Sequence, residues 1–341
     1  MIIDTDIHNT VPNVKALHPY LSDYWLEQLE LTGFTGANDK YYPIGASVTA
    51  RSDTHPKGGG SAGSNLDTLR EQVLDENNTD IGILNCLYAV DGLHNPDAAG
   101  AFSRAVNDWQ ISEWLDKEPR LRASLVVPPQ YPEIAAEEIR RIGNHPGFVQ
   151  ILLPVRAPLP YGNRNYNPIY KAASDTGLPV GIHFGGAPTT PSTPSGWSTF
   201  YIEEYAGMAS VFQSQVISII TEGVFDHFPD LKIACIESGW TWLPSLMWRF
   251  DKDWKGIRRE IPWLKQSPSD YIRSRMRFTL TPIDAPPETK TLLQIIEQIG
   301  SDDLIMFSTD YPHDHNDALP DLPEPLRTKI LSENARAFYN L

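Results

Sequence analysis

Cysteine is nearly absent: the 341-residue chain holds only Cys86 and Cys235. Each lies within an apolar run, which predicts buried, unpaired thiols and excludes a disulfide-stapled fold. Long hydrophobic stretches are also missing, since nothing approaches the roughly eighteen residues that span a bilayer. The N-terminus enters a strand pattern with no basic segment ahead of it, so neither a targeting peptide nor a membrane partner is expected. Positive charge is scarce. Twenty-eight Lys and Arg against 43 Asp and Glu leave a formal charge of −15 at pH 7. Phosphate backbones demand a basic face, so nucleic acid is excluded as a partner. No G-x-G-x-x-G or P-loop follows any predicted strand, which removes the usual nucleotide-binding alternatives. The expectation is a soluble, cytoplasmic protein that acts on a small molecule, with a homodimer as the default assembly.

What is present is an alternation of short apolar runs with helical stretches. Predicted strands are Ile2–His8, Ile81–Tyr88, Leu121–Val127, Phe148–Leu153, Pro179–Gly186, Leu231–Glu237, Arg277–Thr281 and 304–309. Helical patterns fall between them, for example at Leu66–Glu76, Ile134–Ile142 and Thr289–Ile299. Nearly continuous apolar strands separated by helices imply a parallel sheet buried on both faces. Eight such units predict a single-domain (β/α)8 TIM barrel over residues 1–341. A Gly/Pro/Ser-rich insertion at about 40–65 is too irregular for a strand or helix, and reads either as a mobile surface excursion or as a lid over the barrel mouth.

Polar residues recur where these strands end. In the first strand, Asp4, Asp6 and His8 alternate with Ile3, Thr5 and Ile7, so period two predicts three ionisable groups on one face. A divalent cation relieves such crowding, because a carboxylate and a neutral imidazole can both ligate it. Asp310 ends the last predicted strand, His183 lies late in the fifth and Glu237 ends the sixth. In a closed barrel the first and last strands are neighbours, which brings Asp6, His8 and Asp310 to one rim.

The chain resembles the amidohydrolase superfamily, in the branch that holds aminocarboxymuconate semialdehyde decarboxylase and γ-resorcylate decarboxylase. The resemblance rests on Ile3-Asp4-Thr5-Asp6-Ile7-His8, Leu178-Pro179-Val180-Gly181-Ile182-His183, Phe225-Asp226-His227-Phe228-Pro229-Asp230 and Ser308-Thr309-Asp310-Tyr311-Pro312-His313, found in that order. It implies one divalent metal at the C-terminal rim, on Asp6, His8, His183 and Asp310. Asp6 stands where the family usually has the first histidine of H-x-H, and Glu237 stands where the decarboxylases typically bring another. Four such ligands are rich in oxygen, so Mn²⁺ or Fe²⁺ competes with Zn²⁺, and a second ion remains open. No lysine ends strand four, so a bridging carbamate is not expected.

The main expectation is a metal-dependent hydrolase of an amide, ester or lactone, with Asp310 and Glu237 catalytic around a metal-activated water. The alternative is a non-oxidative decarboxylase in which the metal chelates the substrate carboxylate and a neighbouring oxygen. A barrel that binds metal and ligand without turnover is the third reading. Arg156, Tyr88, Trp240 and His313 follow strands and are candidate substrate contacts, Arg156 as a carboxylate clamp and the aromatics as an apolar wall.

Overall fold

The computed structural model describes residues 1–37, 50–186, 190–286, 288–313, 315 and 319–341. Eight strands lie in sequential order in one sheet: β1 (Ile3–Ile7), β2 (Ile81–Leu84), β3 (Leu121–Val126), β4 (Phe148–Pro154), β5 (Val180–His183), β6 (Ile233–Ile236), β7 (Met276–Thr279) and β8 (Ile305–Met306). Every adjacent pair is parallel. Parallel neighbours need a crossover, and helices supply it. Their ends are written in the sequence: before Pro96–Gln110, the Asn95 side chain accepts from the amides of Asp97 and Ala98, and Pro96 occupies the first turn, where its missing N–H costs nothing.

The last strand returns to the first. The amide of Thr5 donates to Phe307 O (3.0 Å), that of Asp310 to Asp6 O (3.0 Å) and that of His8 to Tyr311 O (2.7 Å). Regular pairing in β8 covers two residues rather than the predicted 304–309, because past Met306 the Phe307 amide donates to Ile330 O (2.9 Å) and the Thr281 amide to Ser308 Oγ (3.0 Å). The barrel is a (β/α)8 TIM barrel, with a large outer core between sheet and helices and a smaller inner one. The inner cluster holds Ile83, Ala234, Ile236 and Met306, and Phe338 and Tyr339 of the C-terminal helix join it.

One expectation fails in β1. Ile3 packs in the inner cluster and Ile7 in the outer one, so they do not share a face. The pairing explains this: from Asp4 to Ile7 the strand advances three residues while its partner advances from Gly82 to Leu84, two. The extra residue is a β-bulge, which flips the alternation downstream of it. Asp4 is consequently parted from Asp6 and His8 and accepts from the Thr309 amide (3.0 Å) and hydroxyl (2.6 Å).

Of the predicted insertion, residues 38–49 lie outside the described residues. The remainder, 50–65, is tied down. Ala50 bridges to His313 and the Thr10 amide donates to Gly63 O (2.9 Å), while Thr54 and Ala62 are buried. Among the described residues, no helix is long and apolar enough to cross a membrane. Cys86 and Cys235 are buried and form no disulfide.

Candidate active site

All the site's side chains stand at or just past the C-terminal ends of strands, the rim where barrels of this kind place their chemistry. Asp6 and His8 come from the end of β1, His183 closes β5, Glu237 follows β6 and Asp310 follows β8. Asp6, His8, His183 and Glu237 each bring one ligand atom into a group in which these atoms lie within 4.8 Å of one another. His8, Glu237, Asp310 and His313 form an overlapping second group.

The hydrogen bonds decide how the imidazoles are presented. His8 Nδ1 lies 3.0 Å from the backbone oxygen of Asn85, and His183 Nδ1 lies 2.8 Å from that of Phe184. A carbonyl only accepts, so each Nδ1 carries the proton and each Nε2 faces the cluster. His8 Nε2 meets Asp310 Oδ1 at 2.8 Å, Glu237 Oε1 at 3.3 Å and Asp6 Oδ1 at 3.7 Å. His183 Nε2 meets Glu237 Oε1 at 3.3 Å and Asp6 Oδ1 at 3.4 Å. His183 Nε2 and Asp6 Oδ2 are fully buried without a hydrogen-bond partner. Orphaned buried atoms are costly, and these two belong to one four-residue group with oxygen and nitrogen donors. The donor set of Asp6, His8, His183 and Glu237 therefore fits a divalent cation.

Charge in the site follows from this crowding. Burial alone would push the His183 imidazole down, yet the charges of Glu237 and Asp6 raise it to about 9. The His8 imidazole is likewise raised against its burial, by Asp6, Asp310 and Glu237. Burial raises the Glu237 carboxyl, and the charge of Asp310 adds to this. Asp310 goes the other way. Burial opposes ionisation, but His313 (Nδ1 to Oδ1, 2.8 Å), His315 on Oδ2 and His8 together hold its carboxyl well below the usual range.

Asn85 escaped the sequence reading of site residues. Its backbone oxygen fixes His8, and its side-chain amide donates to Asp6 Oδ1 at 2.8 Å, so it orients two members of the cluster. A polar residue inside the apolar run 81–88 was the available signal. The cavity beside the cluster is lined by His183, Glu237 and His313, by Leu87, Val126 and Phe184, and by Tyr88, Arg156, Glu204 and Tyr205. Tyr88 and His313 thus reach the cavity, as does Arg156. Trp240 does not line it. It is fully buried in the outer core with its indole N–H directed to Leu280 O (3.4 Å), because Gly239, at φ +62°, turns the chain away after Glu237. A substrate contact by Trp240 is therefore withdrawn.

An eight-stranded barrel with a buried histidine–carboxylate cluster at its C-terminal rim defines a metal-dependent enzyme of the amidohydrolase superfamily. The particular family follows from comparison: the amidohydrolase family model matches residues 3–341, and the chain belongs to that family. It is similar to a γ-resorcylate decarboxylase of Polaromonas sp., 27% identical over 302 residues that cover 80% of this chain and 86% of the relative. A γ-resorcylate decarboxylase of Rhizobium sp. is 26% identical over 292 residues, covering 81% and 88%. Among solved structures, a dihydroxybenzoic acid decarboxylase from Polaromonas sp. with bound manganese and the inhibitor 2-nitroresorcinol matches with a TM-score of 0.69. It is 25% identical, with 100% of this chain and 97% of that one covered. The expectation of a hydrolase is corrected by these relatives, which are named for decarboxylation.

Proposed function

We propose that the protein is a metal-dependent, non-oxidative decarboxylase of a hydroxylated aromatic acid. The observation that carries this reading is the pair of orphaned atoms, His183 Nε2 and Asp6 Oδ2, in a buried cluster beside a cavity walled by apolar and aromatic side chains. The relatives supply the reaction class, and one of them the metal, manganese. Asp6, His8, His183 and Glu237 would hold the ion. When bound, such an ion would supply a Lewis-acidic positive centre beside the cavity for an anionic substrate.

Decarboxylation breaks the bond between ring and carboxylate; its electron pair stays on the ring carbon, which then takes a proton as CO₂ leaves. Asp310 passes that proton from a carboxyl oxygen. Its three imidazole neighbours hold it ionised at rest, so Asp310 acts as a relay: Oδ2 takes the proton from His315 and the carboxyl hands it to the ring carbon. Leu87, Val126 and Phe184 exclude water from the ring, and Tyr88 packs beside them. This reading assigns Asp310 to proton transfer and Glu237 to the metal, and treats the second group as hydrogen-bonded imidazoles around Asp310. A cytoplasmic homodimer belongs to the same reading, since two buried cysteines not joined in a disulfide suit a reducing compartment.

The test is direct. Manganese-loaded protein incubated with 2,6-dihydroxybenzoate and its ring isomers should release CO₂ in step with the loss of substrate. Appearance of a new acid from an amide, ester or lactone panel, with no CO₂ from any aromatic acid, would overturn the proposal.

A further inference from the structure

Arg156 and Glu204 face the same cavity as the cluster and are 6% and 2% exposed. The guanidinium spends one nitrogen on the protein: Nη2 donates to Gly186 O at 2.5 Å and meets Glu204 Oε1 at 3.3 Å. Its Nε and Nη1 have no partner, and neither has Glu204 Oε2. A permanently charged donor and a carboxylate oxygen are therefore both left buried and unsatisfied in one wall, which neither the metal cluster nor the proton path uses. Leaving such groups unpaired costs more than an ordinary hydrogen bond contributes, so the arrangement calls for a ligand group that serves both.

We propose that Arg156 and Glu204 are a specificity pair for a hydroxyl on the aromatic ring, and against a second carboxylate in the same place. This rests on the decarboxylase reading for the class of ligand. A hydroxyl oxygen accepts from the guanidinium while its proton goes to Glu204 Oε2, so one group satisfies both sides. A carboxylate accepts from Arg156 but brings no proton for Oε2 and sets like charges together. A methyl group or hydrogen leaves both sides unpaired. The pair is held in place from two directions. Gly186, at φ +133°, brings its backbone so close that an added Cβ would lie 2.9 Å from Arg156 Cβ. Glu204 occupies the first turn of the helix Tyr201–Thr221, where the macrodipole favours its negative charge.

Equilibrium binding to manganese-loaded protein tests this without turnover. The ligands are 2-hydroxybenzoate, its 3-, 4-, 5- and 6-hydroxy derivatives, and 2-hydroxybenzene-1,3-dicarboxylate, measured by calorimetry. At least one dihydroxybenzoate should bind about tenfold or more tighter than 2-hydroxybenzoate, and the dicarboxylate should bind more weakly than that compound. In Glu204→Gln the hydroxyl preference should shrink severalfold while the dicarboxylate gains. Arg156→Lys, which keeps the charge and tolerates folding better than Arg156→Met, should lose the hydroxyl preference too. Equal binding of all the monocarboxylates, tightest binding of the dicarboxylate, or an unchanged preference in Glu204→Gln would overturn the pair's role. Absence of CO₂ release with the preference intact would sink the reaction and leave this recognition standing.

Discussion

Glu237 and Asp310 both adopt positive φ, 56° and 55°, where residues with a Cβ are strained. Such strain costs about 1–3 kcal/mol per residue and persists where the surroundings over-determine it. Here they do: the Glu237 amide donates to Thr279 Oγ1 at 2.9 Å and the Asp310 amide to Asp6 O at 3.0 Å, so each tip is pinned and its carboxylate aimed at the cluster. Asp310→Asn keeps the size and removes the carboxylate that relays the proton. Its kcat should fall about a thousandfold, within the span expected for losing a general acid, while manganese content and Tm stay close to wild type. His183→Ala should do the reverse, losing the metal by elemental analysis before any question of turnover arises, because it removes one of the two imidazoles proposed to hold the ion.

Two contacts show how elements support the rim. Residues 50–65 reach the cluster through Gly63, at φ +73°, whose added Cβ would press on the carbonyl oxygen of His8 closer than real side chains come. Gly63→Ala should therefore lower stability by about 1–3 kcal/mol and raise KM, measured by urea denaturation and steady-state kinetics. Far from the rim, Glu118 joins the turn before β3 to the helical segment that precedes β2, accepting from Arg120 Nε (2.9 Å) and Arg70 Nε (2.7 Å). These bonds lower its carboxyl from 4.5 to about 2. A folded value below the unfolded one means the contribution is complete above about pH 4.5 and is lost as pH falls toward 2. Glu118→Gln should cost on the order of 1 kcal/mol at pH 7, since the arginines are partly exposed, and the gap to wild type should close as the pH is lowered through 4 and 3.

At the scale of the whole molecule, the cluster ties β1, β5, β6 and the segment after β8 together at one mouth. A cation held by Asp6, His8, His183 and Glu237 would cross-link β1, β5 and β6, segments far apart in the chain that only folding brings together. Stripping it with a chelator should lower Tm by a few degrees and abolish CO₂ release, with manganese restoring both; at a hundredfold excess over Kd the linkage is worth about 2.7 kcal/mol. A Tm unmoved by chelator and metal would argue against an ion in this cluster. Barrel closure was legible beforehand because apolar strands recur between helices from Ile3 to Met306, and parallel strands with such crossovers have few ways to bury both faces. The shortness of β8 was not legible. Its pattern ran on to Thr309, and the pairing ends where the Phe307 amide turns to Ile330 O and the Thr281 amide to Ser308 Oγ.

By itself the sequence determined the alternation of strand and helix, and the presence of Asp6, His8, His183, Glu237 and Asp310 where strands end, because burial periodicity and polar stops are local properties. Which atoms meet was decided by the tertiary structure alone. A bulge between Asp4 and Ile7 parted Asp4 from the cluster, a left-handed Gly239 sent Trp240 into the outer core, and helix packing set Glu204 beside Arg156. None of these has a period to read, since each depends on how one segment is turned against another far away along the chain.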